Sequence, residues 1–133
     1  MVTGVLTKRE VQKVANILVC DDDKDIVEAI SIYLSQEGYQ IFKAYNGREA
    51  IDVLQKEDIQ LLLIDIMMPE MDVIHAMIKI RTFSAIPILV LSAKSEDVDK
   101  ILGLNVGADD YITKPFNILE VKARIKAIMR RTA

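Results

Sequence analysis

Cysteine and histidine are nearly missing from this 133-residue chain, which holds one of each. A single cysteine, Cys20, excludes an intrachain disulfide. It lies in an apolar run and reads as a small buried hydrophobe, not a reactive thiol. A lone histidine, His75, leaves no basis for a histidine-ligated metal site, and its place in a helical pattern gives it a structural role. Glycine is scarce, at five residues. Neither a GxxxxGK[ST] loop nor a GxGxxG turn occurs, so the usual phosphate cradles of nucleotide-binding proteins are missing. No apolar run approaches the roughly 18 residues that a membrane span requires. Residues 1–15 carry Lys8, Arg9, Glu10 and Lys13 without a continuous apolar core, so they do not read as a secretory signal. They form an extension outside the fold, either a short helix or disordered. Internal repeats and low-complexity tracts are absent.

Hydrophobic residues make up 51% of the chain and charged residues 28%, the balance of one soluble globular domain. The formal net charge of −3 argues against general nucleic-acid binding by the whole chain. The charge is uneven. From Lys114 onward, Lys114, Lys122, Arg124, Lys126, Arg130 and Arg131 face only Glu120. A solvated helix with cations toward its C-terminus accounts for that run more simply than an acidic partner does.

Five short apolar runs, at about 17–20, 40–44, 61–64, 88–91 and 111–112, alternate with five helical patterns. Ile26, Ile30 and Leu34 stand four apart; Ala50, Ile51 and Leu54 share a face; Val98, Ile101, Leu102 and Val106 repeat at helical spacing; so do Val121, Ile125 and Ile128. Gly38 and Gly107 sit where helices should stop, and Asn46-Gly47 should open one. Such alternation predicts βαβ units with right-handed crossovers. The expected class is therefore α/β, a doubly wound five-stranded parallel sheet with five helices. The flavodoxin-like order 2-1-3-4-5 places strands 1 and 3 together at a switch point. The folded domain should span 16–131, with 132–133 as a C-terminal stub.

In such sheets ligand chemistry gathers at the carboxyl ends of the strands. Asp21 and Asp22 directly follow the first run, Asp65 the third, and Lys114 the fifth. Asp23 reads as a helix cap. Three converging carboxylates repel one another unless a cation compensates. Mg²⁺ suits them, because it needs only one or two carboxylates and keeps several waters. A carboxylate beside Mg²⁺ can attack phosphorus to form an acyl phosphate, with Lys114 as a second positive contact. Ser92, ending strand 4, offers a hydroxyl to a phosphoryl oxygen or else caps a helix.

With these residues placed, the chain resembles the receiver domain of a two-component response regulator, a CheY-like fold, over about residues 16–131. The matching motifs are Ile17-Leu18-Val19-Cys20-Asp21-Asp22-Asp23, Asp65-Ile66-Met67-Met68-Pro69-Glu70-Met71-Asp72, Leu91-Ser92-Ala93 and Lys114-Pro115-Phe116. Each is weak alone; in this order and spacing they are highly specific. The resemblance implies Asp65 as phosphoacceptor, Asp21 and Asp22 with Asp65 and the Met67 backbone carbonyl as Mg²⁺ ligands, Ser92 as switch hydroxyl, Tyr111 as switch aromatic and Lys114 as phosphate contact. The family's Lys-Pro bond is usually cis, which Pro115 permits.

The stretch 103–116, from Gly103 to Phe116, with Glu120-Val121-Lys122-Ala123-Arg124 and Arg130-Arg131, further resembles the OmpR/PhoB class of transcription regulators. The implied partner is a sensor histidine kinase, the implied location the cytoplasm. Phosphorylation would drive homodimerisation through the fourth helix, fifth strand and fifth helix. Lys100 would pair with Glu120 of the other subunit and Asp110 with Arg124, around Ile101 and Leu104. DNA would be bound only through an output domain that this chain does not include. Two positions depart from the pattern. Val73 replaces the usual glycine, and a β-branched residue is poorly suited to positive φ, so the loop after strand 3 should differ. Asn105 replaces an acid, which removes one cross-dimer pair, with Lys126. Met67 and Lys94 stand where some receivers orient a hydrolytic water, and neither accepts a hydrogen bond from it, so self-dephosphorylation should be slow.

Three rival readings remain. A stand-alone receiver would act by docking onto a partner protein, although the class-specific tail favours a fragment of a transcription factor. A phosphatase or mutase with an aspartyl nucleophile commonly carries DxDx[TV] after its first strand, and Asp21-Asp22-Asp23-Lys24 lacks it. A degenerate receiver would lack part of the set Asp21, Asp22, Asp65, Ser92 and Lys114, which is complete here. The domain is thus expected to be a signalling receiver and not a turnover enzyme.

Overall fold

Asn16–Cys20 forms β1, and its alternating side chains already show why the sheet is covered on both faces. Leu18 and Cys20 join one buried cluster, while Ile17 and Val19 join the other. A strand buried on both sides cannot alternate apolar with polar, so it reads as a continuous apolar run. The computed structural model describes residues 15–66, 73–92 and 107–132.

After β1 come α1 (Lys24–Gln36), β2 (Gln40–Ala44), α2 (Gly47–Lys56), β3 (Leu61–Asp65), α3 (Val73–Arg81), β4 (Ile88–Ser92), β5 (Asp110–Thr113) and α4 (Ile118–Thr132). The strands form one parallel sheet in the order β2-β1-β3-β4-β5, as expected. Four helices are described. The helical pattern Val98, Ile101, Leu102 and Val106 lies outside the described residues, so the expected count of five is not tested there. Helices α2 and α3 cover one face through Ala50, Ile51, Ala76, Met77 and Ile80. Helices α1 and α4 cover the other through Val27, Ile30, Leu34, Val121, Ile125 and Ile128. Each buried Val, Leu, Ile or Met among them contributes about 1.5–3 kcal/mol. Among the described residues no helix is long and apolar enough to cross a membrane.

The helix boundaries follow from local chemistry. Asp23 caps α1, its carboxylate accepting the Asp25 and Ile26 amides, as its sequence position suggests. Asn46 caps α2 by accepting the Glu49 amide at 2.8 Å. Gly38 leaves α1 with φ +93°, a left-handed conformation that favours glycine. Val73 does not sit in a positive-φ turn. It opens α3 with helical backbone and is buried against the core, so the β-branched side chain is accommodated by packing.

Candidate functional site

Parallel pairing matches Cys20 of β1 with Ile64 of β3. The next residue on each strand, Asp21 and Asp65, therefore emerges at the same rim. Both are buried, at 1% and 3% exposure, while Asp22 faces solvent. One carboxylate oxygen from each of Asp21, Asp22 and Asp65 lies within 4.8 Å of the others. The sequence-predicted acidic cluster is thus assembled.

Lys114 completes it from the end of β5. Its Nζ donates to Asp65 Oδ2 at 3.1 Å and stands 3.6 Å from Asp21 Oδ2. Its amide donates to the Ser92 carbonyl at 2.6 Å, and the Lys114–Pro115 peptide is cis, as the resemblance implies. Burial lowers the ammonium pKa, but the hydrogen bond and charge of Asp65, with Asp21 behind them, outweigh it and hold the group above its ordinary range. Lys114 is therefore a fixed cation against two buried carboxylates.

Asp21 is the strained member. Burial pushes its carboxyl up to about 6, with the Asp65 charge adding to the rise; the Asp23 amide and Lys114 oppose it. Asp21 Oδ1 accepts the Asp23 amide at 2.9 Å. Its Oδ2 is buried and accepts no hydrogen bond. A buried carboxylate oxygen without a donor is costly, and a hard cation with oxygen preference would satisfy it. The donor set and this orphaned oxygen fit Mg²⁺.

The neighbouring positions are mixed. Ser92 is fully buried at the end of β4, one residue past the Leu91 that pairs with Asp65. Tyr111 is 41% exposed on β5. Cys20 donates to the Asn46 carbonyl at 3.4 Å, and burial, then the Asp21 charge, pushes its thiol pKa far up, which suits an inert core residue. Met67, Lys94, Lys100, Ile101, Leu104 and Asn105 lie outside the described residues. Arg124 holds Asp110 of its own chain, at 2.9 and 3.1 Å, and reaches Glu120 at 3.4 Å. Within one protomer Arg124 and Asp110 are thus already partners. Lys126, expected to lose a partner at Asn105, ion-pairs with Glu37 at 3.5 Å.

One side chain had no sequence signal. Arg81, ending α3, donates to the carbonyls of Ser84, Ile86 and Gly107 and reaches the Asp109 carboxylate. Its acceptors are mostly backbone oxygens, which no residue pattern encodes.

A doubly wound parallel sheet with a cation-ready acidic cluster and a lysine at the carboxyl ends of its strands defines an α/β domain with its site at the switch point. Residues 17–126 match the family model described as the response regulator receiver domain, and the chain belongs to that family. It is 46% identical over 115 residues to the regulatory protein VanRc of Enterococcus gallinarum, covering 86% of this chain and 50% of that one. The response regulator GtcR of Aneurinibacillus migulanus is 44% identical over 115 residues, 86% of this chain and 48% of that protein. The chain thus spans about half the length of the curated relatives it matches. Among solved structures, the receiver domain of the Francisella response regulator 1452 superposes with a TM-score of 0.81 at 35% identity, over 90% of this chain and 99% of that one. The response regulator TrrA of Thermotoga maritima, solved in complex with Mg²⁺ and BeF, gives 0.77 at 32% identity, over 86% and 98%.

Proposed function

We propose that this receiver takes a phosphoryl group on Asp65 from a sensor histidine kinase, with Mg²⁺ held by Asp21, Asp22 and Asp65, and the Met67 carbonyl as a further ligand. In the transfer a nitrogen–phosphorus bond of the phosphohistidine breaks and an Asp65 oxygen–phosphorus bond forms. Bound Mg²⁺ would supply positive charge against the phosphoryl oxygens. Lys114 supplies a second cation, already 3.1 Å from Asp65. Ser92 would donate a hydrogen bond to the new group, and Tyr111, now outward, would turn in, a shift between two populated states. The orphaned Asp21 Oδ2, buried beside Asp65 and Lys114, is the observation that carries this reading.

The output is dimerisation through the segment 98–106, β5 and α4, controlling a DNA-binding domain beyond this chain, in the cytoplasm. The VanRc match at 46% identity supports that class. Since Arg124 is paired with Asp110 at home, its cross-dimer pair would form by exchange between protomers. The receiver unit covers about residues 16–131, with Ala15, whose carbonyl accepts the Gln40 amide, and Thr132, the last residue of α4, at its ends. Acyl phosphate lifetime should be long, given Met67 and Lys94.

Intact mass after incubation with acetyl phosphate and Mg²⁺ tests the site. One added phosphoryl group is expected in wild type and none in Asp65→Asn, with light scattering reporting a shift to dimer. Equal labelling of both proteins removes Asp65 from the role, and a half-life of seconds removes the slow hydrolysis.

A further inference from the structure

The edge strand β5 has little to hold its register. Of its four residues only Ile112 is buried. Register is strongly specified where a whole face is buried, and weakly where one side chain is. Yet β5 must be placed accurately, because it delivers Lys114 to Asp65. A slip of one residue would move Lys114 by about 3.3 Å and turn it to the other face.

The anchor lies at the opposite end of the sheet. Arg81 Nη2 donates to the Gly107 carbonyl at 2.6 Å and approaches Asp109 Oδ2 at 3.3 Å. Arg81 Nη1 donates to the Ile86 carbonyl at 2.6 Å and the Ser84 carbonyl at 3.3 Å. The same Asp109 oxygen accepts the Ile88 amide at 2.7 Å, and the Asp109 amide donates to the Ile88 carbonyl at 2.9 Å. One guanidinium therefore ties the end of α3 to the residues leading into both β4 and β5. The fit is mutual. Gly107 has φ +91°, and a Cβ placed there would come within 2.6 Å of Arg81 Nε.

We propose that Arg81 is a positioning residue for the phosphoacceptor site: with Gly107 and Asp109 it pins the register of β5 and so sets Lys114 against Asp65. This rests on the phosphoryl-transfer reading above. A planar guanidinium spans several acceptors in a fixed fork, which a lysine ammonium cannot reproduce.

The test follows labelling by acetyl phosphate in wild type, Arg81→Ala, Arg81→Lys and Lys114→Ala, and in the double variant Arg81→Ala/Lys114→Ala, each with its thermal melt and Mg²⁺ affinity. Arg81→Ala should slow labelling about tenfold or more, the scale of a misplaced catalytic contact. Arg81→Lys should fall between it and wild type. Mg²⁺ affinity should not fall, since the acidic ligands sit at the ends of β1 and β3 and only the competing ammonium is displaced. In the Lys114→Ala background, Arg81→Ala should have no further effect. If Arg81→Ala does not fold, Asp109→Asn replaces it, keeping an oxygen for Ile88 while removing the charge facing Arg81, and a smaller loss in the same direction is expected. Wild-type rates in folded Arg81→Ala, or an equal loss with and without Lys114, overturn the inference. Failure of wild type itself to label overturns the phosphoacceptor reading instead.

Discussion

Strands β3 and β5 each carry one half of the site to the same rim, yet they are held by different physics. All five residues of β3 are buried, and it lies between β1 and β4. β5 is an edge strand with one buried side chain, and polar contacts hold its two ends: Lys114 to Ser92 above, Asp109 to Ile88 and Arg81 below. The acidic half is thus fixed by the hydrophobic core and the cationic half by hydrogen bonds. Burial resists change because every displacement opens a cavity. Hydrogen bonds can be exchanged at small net cost. The acidic half is therefore the harder one to displace, while the cationic half depends on a few polar contacts that single substitutions can remove.

The largest effect expected from this contrast is in the core. Leu62→Ala in β3 should destabilise the domain by about 2–5 kcal/mol, the range for emptying a packed site. Tyr111→Ala on β5 should cost less than about 0.5 kcal/mol, as exposed positions usually do. Urea denaturation of both variants measures the gap, and equal losses would end the contrast.

A smaller effect comes from Asp21. Its carboxyl is raised from 3.8 to about 6 on folding. A raised acid binds more protons in the folded state, so the stability it contributes is full below about pH 4. That stability is lost as pH rises through about 6. At most about 3 kcal/mol is involved, since each tenfold gain in proton affinity on folding is worth about 1.4 kcal/mol. Without Mg²⁺, wild type should lose stability relative to Asp21→Asn across that window. Saturating Mg²⁺ should reverse the sign, stabilising the charged form above about pH 6. A difference that stays flat with pH would show that Asp21 is not strained.

The smallest effect concerns the rim of β5. Arg124 is 41% exposed, so a double-mutant cycle of Arg124→Ala with Asp110→Ala should give a coupling of about 0.2–1 kcal/mol. Coupling that appears only as protein concentration rises would mean that the pair forms between protomers.

The sequence made the acidic half easier to read than the cationic half. Runs such as Leu61–Ile64 announce buried strands because burial on both faces demands continuous apolar residues, and the aspartates following them are thereby located. β5 offered only Tyr111-Ile112, so its four-residue extent and the Arg81 clamp were not legible. Carbonyl acceptors belong to every residue alike, and only the folded chain shows which ones converge on a guanidinium. Val73 opens α3 with helical backbone and so meets no positive φ there, while the loop before it lies outside the described residues. For Arg124 and Asp110 the sequence gives complementary charges but not which copy they belong to; within one protomer they pair with each other.

Lys114 has one more consequence. Resting between Asp21 and Asp65, it gives the chain an internal counter-ion. Small metal-folded domains lack this and fall apart when the ion is withdrawn. Here the lysine tethers a positive charge to the acidic pocket at every ion concentration. Persistence of the fold is thereby separated from readiness to react: a chelator should leave this protein folded but silent, and restoring the ion should revive it without any step of refolding.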